Sequence, residues 1–280
     1  MLLGIVSGGL LRRILPLAAI LLAAPLVAGR PMVIDDMFKV ARVAAPALSS
    51  SGDIAYQVGT VDLAANKVHT QIWLKWAARN NGIMDRPHAL DLGSGNQSSP
   101  RFSPDGKSLS YEQGGQLWIV DLATMKTRQL TKLEGGGSTA RWSPDGTKIA
   151  FLSTTVPSGD AMENAAYLKA QGEKKSDGRL IKNLMFRHWT EWKDPMQRTH
   201  LFVAPVDGSA APKDVTAGLP YDVPTPFDFA SGDDFDWSPD SKKLAFAANP
   251  EQDTAVSTNG DIFEVVLDGA KPVDISGFNK

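Results

Sequence analysis

Cysteine is absent from this chain of 280 residues. That excludes disulfides, thiolate nucleophiles and cysteine-ligated metals. Histidine is scarce, and His69, His88, His188 and His200 are scattered rather than clustered. Charge of one sign is missing too. The formal net charge is −2, which gives no electrostatic reason to expect nucleic acid or an anionic membrane as partner. The signatures of several chemistries are also lacking. There is no Gly-x-Ser-x-Gly nucleophile elbow, no phosphate loop ending in Gly-Lys-Ser/Thr and no His-Glu-x-x-His pair. Gly136-Gly-Ser138-Thr-Ala140 comes nearest to an elbow, with Ala140 in place of the last glycine. The Gly135 to Gly137 run reads as a flexible turn rather than a phosphate cradle. No catalytic residue, no metal ligand set and no cofactor site is expected.

The first segment, 1–29, reads as a secretory signal peptide. Arg12 and Arg13 precede the apolar run Ile14 to Val27, and small residues follow before Arg30. A positive region, a short apolar region and a small-residue exit are the marks of such a leader. The alternative is a membrane anchor, but this run falls short of the roughly twenty apolar residues a spanning helix needs. The expectation is an exported protein, periplasmic or secreted, with no stable membrane anchor after cleavage.

What the chain does contain is a repeat. Phe102-Ser-Pro-Asp-Gly106, Trp142-Ser-Pro-Asp-Gly146 and Trp237-Ser-Pro-Asp-Ser241 are preceded by a worn copy, Leu48-Ser-Ser-Ser-Gly52. Proline presets φ for the second position of a type I turn, Asp suits the third and Gly the fourth. Each copy precedes an alternating run such as Leu109-Ser-Tyr111 or Ile149-Ala-Phe151. A second alternating segment follows, as in Gln116-Leu-Trp-Ile-Val-Asp121 or Asp261-Ile-Phe-Glu264. A turn and a short closing strand complete the unit. Alternation of this kind marks half-buried strands. Four strands in meander order, recurring at roughly forty residues, are the unit of a β-propeller.

The fold class expected is therefore all-β: a partial β-propeller of about four four-stranded antiparallel blades across residues 30–280. The blades fall at about 40–93, 98–134, 139–216 and 233–280. Trp73, Trp118, Trp142 and Trp237 are expected as core residues between blades. The third blade carries a helical and extended insertion. Asp160 to Lys175 reads as a helix, with Asp160 as N-cap, Glu163 in the capping-box position and Gly178 beyond its end. Leu184 to Lys193 reads as an extended hairpin arm. Long insertions in compact folds are usually functional.

Two clusters could bind something. Asp233, Asp234, Asp236 and Asp240 are either a calcium site or a solvated loop with Asx turns, and their spacing matches no known calcium loop. Arg187-His-Trp-Thr-Glu-Trp192 is the richer segment. Read as one strand, it puts Arg187, Trp189 and Glu191 on one face and His188, Thr190 and Trp192 on the other. A carboxylate beside an indole can hold a cationic amino group. The alternative is that both tryptophans pack and Glu191 pairs with Arg187. The candidate substrate-binding residues are Glu191, Arg187, Trp189 and Trp192. His188 has no nucleophile to serve as a base.

At these residues the chain resembles the N-terminal propeller of the prolyl oligopeptidase family of serine peptidases. The resemblance is strongest to its exported bacterial dipeptidyl-peptidase and acylaminoacyl-peptidase-like branch. It rests on Met37-Phe-Lys39, Arg42-Val43, Trp142 to Gly146, Leu184 to Trp189 with Glu191-Trp192, His200 to Val203 and Asp236 to Asp240 with Asn249-Pro250. It implies a propeller that caps a C-terminal α/β-hydrolase domain with a Ser-Asp-His triad and restricts entry to short peptides. It implies that Glu191 reads the free amino terminus of a peptide. The hydrolase domain is absent from this sequence, so the chain alone is expected to be inactive, a truncated copy. Its peptide substrate would engage through that missing domain, and open propeller edges favour self-association. The rival is a TolB-like periplasmic propeller that binds envelope proteins and shares the Ser-Pro-Asp-Gly blades.

Overall fold

A computed structural model describes residues 30–77, 86–182, 184, 186–188, 190–225, 234–251, 254–267, 269 and 271–277. The expected leader, 1–29, lies outside the described residues, as do Trp189 and Asp233. The chain divides into two compact units, Met1–Lys39 and Val40–Lys280. In the first, a four-residue helix, α1 (Asp36–Lys39), is preceded by an ion pair between Arg30 and Asp36 at 2.6 Å.

The second unit is four antiparallel sheets of four strands each, every one a meander. Sheet 1 is β1 (Arg42–Leu48), β2 (Ile54–Asp62), β3 (Lys67–Lys75) and β4 (His88–Ala89). Sheet 2 is β5 (Gln97–Phe102), β6 (Ser108–Gln113), β7 (Gln116–Asp121) and β8 (Thr127–Gln129). Sheet 3 is β9 (Ser138–Trp142), β10 (Lys148–Thr155), β13 (Arg198–Pro205) and β14 (Lys213–Asp214). Sheet 4 is β15 (Phe235–Trp237), β16 (Lys243–Ala248), β17 (Asp261–Val266) and β18 (Val273–Asp274). Between β10 and β13 lie the helix α2 (Ala161–Gly172) and a small hairpin, β11 (Arg187–His188) with β12 (Glu191–Trp192). The expected all-β partial propeller, with its insertion in the third blade, is the fold found.

The repeated turn closes as its sequence dictates. Gly106 N–H donates to Ser103 O at 2.9 Å, Gly146 to Ser143 at 2.8 Å and Ser241 to Ser238 at 2.9 Å. The serine hydroxyl donates to the turn aspartate: Ser103 to Asp105 at 2.7 Å, Ser143 to Asp145 at 2.6 Å and Ser238 to Asp240 at 2.6 Å. Bonds from Ser103 and Lys107 hold the Asp105 carboxyl below its ordinary range. At Asp145 burial pushes upward, yet bonds from Ser143 and Thr147 and the charge of Lys148 prevail and hold it at about 2. The worn copy makes the same turn with its acid displaced. Gly52 N–H donates to Ser49 O at 3.0 Å, and the buried Asp53 accepts from Ser51 Oγ at 2.8 Å.

Strand alternation builds three apolar layers, each between consecutive sheets. Ala55, Ile72 and Leu74 of sheet 1 meet Leu109, Tyr111 and Val120 of sheet 2. Leu117 and Ile119 of sheet 2 meet Ile149, Phe151 and Phe202 of sheet 3. Ala150, Leu152, Leu201 and Val203 of sheet 3 meet Trp237, Leu244, Phe246 and Phe263 of sheet 4. Strand β10 feeds two layers, odd residues to one and even residues to the other, as a period of two requires.

The repeat's tryptophans also form directional joints. Trp142 Nε1–H donates to Arg101 O at 3.2 Å and lies 3.0 Å from Ser110 Oγ, both on the preceding sheet. Trp237 Nε1–H donates to Arg141 O at 3.0 Å, one sheet further on. In each case the acceptor is the residue before the preceding copy's aromatic. The expectation of four tryptophans packed between blades holds for three of them. Trp237 is buried, but Trp73, Trp118 and Trp142 are half-buried. Trp118 packs against the layer between sheets 1 and 2 and Trp142 against that between sheets 2 and 3, whereas Trp73 alternates with the buried Ile72 and Leu74 and leaves from the other side of its strand.

The Gly135–Gly137 segment is likewise not a loose turn. A Cβ on Gly135 would stand 1.6 Å from Thr154 O, and one on Gly136 would stand 2.8 Å from Gly115 O. Gly137 N–H donates to Gly115 O at 2.9 Å. Backbone approaches backbone here, between sheets 2 and 3, and only glycine fits.

Candidate functional site

The insertion begins where β10 ends, and its root is closed down on sheet 3. Gly218 N–H donates to Pro157 O at 2.7 Å. A Cβ on Gly159 would meet Ala217 Cβ and Asp214 Oδ2, each at 2.7 Å. Asp160 caps α2 as expected, accepting from Glu163 N–H at 2.8 Å. The reciprocal half of the capping box differs. Glu163 accepts from Ser158 Oγ at 2.6 Å, and Asp160 N–H donates to Ser158 Oγ at 3.2 Å. A serine therefore stands between the two partners of the box. The helix also stops earlier than expected, at Gly172, with Glu173 as C-cap.

Returning toward sheet 3, the insertion is tied by polar contacts. Tyr167 Oη–H donates to Asp194 Oδ1 at 2.6 Å, and the same oxygen accepts Met196 N–H at 2.9 Å. Burial and the adjacent carboxylate push the Tyr167 phenol up. The buried Asn164 takes a long bond from Gln197 Nε2 at 3.4 Å. Lys193 meets Asp222 at 3.5 Å, and Asp222 accepts Thr199 N–H at 2.8 Å.

Beneath the root lies a pair that the sequence reading did not single out. His200 is fully buried, its Nδ1 2.7 Å from Asp214 Oδ2 and its Nε2 3.1 Å from Leu219 O. Asp214 also accepts Thr216 N–H at 2.8 Å. The ring joins β13, β14 and the following turn, and without exposure it cannot reach a substrate. The signal in the sequence was a histidine heading an otherwise apolar strand. Its partner, fourteen positions on, has no local mark.

The arm carries the residues expected to bind. Arg187–His188 and Glu191–Trp192 pair antiparallel, so the segment is a hairpin and not one strand. Register sets Arg187 opposite Trp192 and His188 opposite Glu191. The expected grouping of Arg187 with Glu191 on one strand face is therefore replaced, because antiparallel pairing sets each of them opposite a different residue. Trp192 is 46% exposed. The guanidinium of Arg179 lies 4.9 Å from its ring centroid and that of Arg187 5.5 Å. Phe186 adds a ring at 6.0 Å. The indole already holds cations of its own chain, which is where cation–π attraction places them. Glu191 is fixed by backbone register on β12, and Trp189 lies outside the described residues.

A cleft of 220 Å³ adjoins the root, lined by Gly135, Ser138, Leu152, Ser153, Thr154, Thr199 and Pro224. Its lining is uncharged and rich in hydroxyl and backbone groups. The acidic cluster resolves differently. Asp240 belongs to the turn, where bonds from Ser238 and Lys242 and the charges of Lys242 and Lys243 hold its carboxyl below the ordinary range. Asp236 faces Arg141 at 4.0 Å. Among the described residues, no three acids or histidines gather as a metal would need.

No family model matches the chain. It is similar to two curated relatives, both named dipeptidyl-peptidase 5. The one from Porphyromonas gingivalis is 29% identical over 257 residues, covering 89% of this chain and 36% of the relative. The one from Porphyromonas endodontalis is 26% identical over 268 residues, covering 88% of this chain and 37% of the relative. The chain thus spans little more than a third of the relatives it matches. In fold it is similar to an acylaminoacyl peptidase from Pyrococcus horikoshii, with a TM-score of 0.57 at 14% identity over 86% of this chain and 33% of that one. The resemblance read from the sequence holds. The chain fits a propeller portion of the prolyl oligopeptidase family, with dipeptidyl peptidases as its sequence relatives.

Proposed function

We propose that this chain, as a propeller portion of a prolyl-oligopeptidase-family peptidase, gates and positions short peptides for an exported serine-type dipeptidyl or acylaminoacyl peptidase. The observation that carries the reading is the match to two dipeptidyl peptidases along nearly nine-tenths of the chain. The insertion supplies the means. Its root borders an uncharged cleft whose hydroxyl and backbone groups suit an extended peptide backbone. Its hairpin holds Glu191 beside a turn at the arm's tip. A carboxylate there would pair with the ammonium of a free peptide terminus, a charge-assisted bond. Bond cleavage belongs to the hydrolase portion that the family resemblance implies, since this sequence holds no nucleophile elbow. The leader-like 1–29 supports export.

The test is calorimetric titration of the chain with a tripeptide, free or N-acetylated. The free form should bind at least tenfold more tightly, and Glu191→Gln should erase the difference. Equal binding of both forms by the wild type would remove the free-terminus reading. A dipeptidyl fluorogenic reporter should stay intact with the chain alone, and turnover would contradict the division of labour.

A further inference from the structure

We infer that the insertion carries a peripheral membrane-binding strip, which attaches reversibly to anionic lipid headgroups. The inference does not rest on the peptidase reading. Its starting point is an unevenness of charge. The chain as a whole is at −2. Yet from Lys169 to Arg187 there are six cationic residues against Glu173 and Asp177 alone, a local net of +4. Near-neutrality of the whole excluded an anionic membrane only while its charge was taken as evenly spread.

The second observation is exposed apolar surface in the same stretch. Leu180 is 81% exposed and Leu184 65%. Ile181, Phe186 and Trp192 are exposed as well. Lys174, Lys175, Arg179 and Lys182 are all exposed among them. Among the described residues, no ion pair forms at Lys174, Lys175 or Lys182. The sheets bury many such residues in the three inter-sheet layers, while Val43, Leu48, Val68, Ile262 and Val273 on sheets 1 and 4 are exposed too, without a cluster of cations among them. Here Leu180, Ile181, Leu184 and Phe186 are interspersed with Lys and Arg, and none of the described residues from 174 to 186 lies in a helix or strand.

Chemistry then selects the partner. An acidic protein would satisfy the lysines but leave Leu180 and Leu184 in water. A bilayer interface satisfies both, with aliphatic and aromatic side chains at the acyl boundary and ammonium and guanidinium groups among the phosphates. Trp192, with Arg179 and Arg187 against its ring, has the amphipathic form that sits at headgroup level. Among the described residues, no helix is long and apolar enough to span a membrane. The association is peripheral and sensitive to salt, because its charges are exposed.

The experiment is flotation of the full chain with vesicles of phosphatidylcholine alone or with 30% phosphatidylglycerol (about that fraction suffices for a surface potential). The chain should float with the anionic vesicles, not with the neutral ones, and should release in about 0.5 M salt. Each basic residue near an anionic surface is worth roughly fivefold in affinity, so Lys174→Gln/Lys175→Gln/Lys182→Gln should weaken binding about a hundredfold. Leu180→Ser/Leu184→Ser should weaken it about tenfold with the charge untouched. All these positions are exposed, and unchanged circular dichroism and melting will show that each variant is folded. Equal flotation with both vesicles, none with either, or an undiminished triple variant would overturn the inference. So would capture by soluble polyglutamate without capture by anionic vesicles, which would identify an acidic protein as the partner.

Discussion

The stacked sheets and the insertion of the third sheet are built by different forces. Each sheet buries alternating side chains on a neighbour, and the joints are sealed by tryptophan N–H groups on backbone carbonyls. Among its described residues, the insertion has one helix with a single buried residue, Asn164, and is held to its base by caps, hydroxyls and a lysine–aspartate contact. Surface ion pairs and exposed hydrogen bonds contribute little each, whereas a buried aromatic contributes several kcal/mol. The lesson is a division of stability. The repeat is the rigid part, and the insertion can vary its surface at little cost to the fold, which is the arrangement binding surfaces usually have.

This comparison can be broken by substitution. The largest effect is expected at Phe246, which is 1% exposed and stacked on Phe263 at 5.6 Å. Phe246→Ala should cost about 3–5 kcal/mol in urea unfolding. Gly135→Ala should follow at about 3 kcal/mol, since its Cβ would collide with Thr154 O and the clash is with backbone. Gly93→Ala, where the surroundings are open, should cost only about 1 kcal/mol from its positive φ. Trp237→Phe keeps an aromatic ring but loses the indole N–H and its bond to Arg141 O, for about 1–2 kcal/mol. The insertion should respond differently. Asp160→Ala removes the α2 cap, worth about 1 kcal/mol to that helix. The change should appear as faster proteolysis within 161–172 and leave the melting of the sheets in place. If Asp160→Ala lowers the whole-chain transition as far as Trp237→Phe does, the division is wrong.

The smallest effect is acid sensitivity at the repeat turn. The Asp145 carboxyl is held at about 2 in the fold, below its unfolded value of about 3.9. A lowered folded pKa gives stability that is present above the unfolded value and lost as pH falls through the folded one. Thermal stability should therefore decline between about pH 4 and pH 2, and Asp145→Asn should flatten that slope. Asp145 is well exposed on this turn, so screening keeps the effect small.

Much of the fold was legible because its signals are local. Ser-Pro-Asp-Gly specifies a turn within four residues, and alternation specifies a strand within six. The worn copy at Ser49–Gly52 still makes the turn because Asp53 supplies the missing carboxylate from two positions further on. Less of the site could be read. Alternation over Arg187–Trp192 looks the same for one strand and for a tight hairpin, and the two arrangements give different neighbours. The run of glycines at 135–137 resembles a loose linker until Thr154 and Gly115, distant in sequence, are brought against it. His200 and Asp214 meet only because β13 and β14 pair.

By itself the sequence determined the repeat: its turns, its strand order within a sheet and its interruption after β10. It also determined the family resemblance, through residues of which the most specific sit in that interruption. The tertiary structure decided which face of each tryptophan is covered and which glycines must be glycine. It also decided that the arm's cations lie over Trp192 while its apolar residues face water. The physical reason is range. Turn and strand preferences act between neighbours in the chain, whereas burial, close backbone approach and cation–π contact depend on groups that only folding brings together.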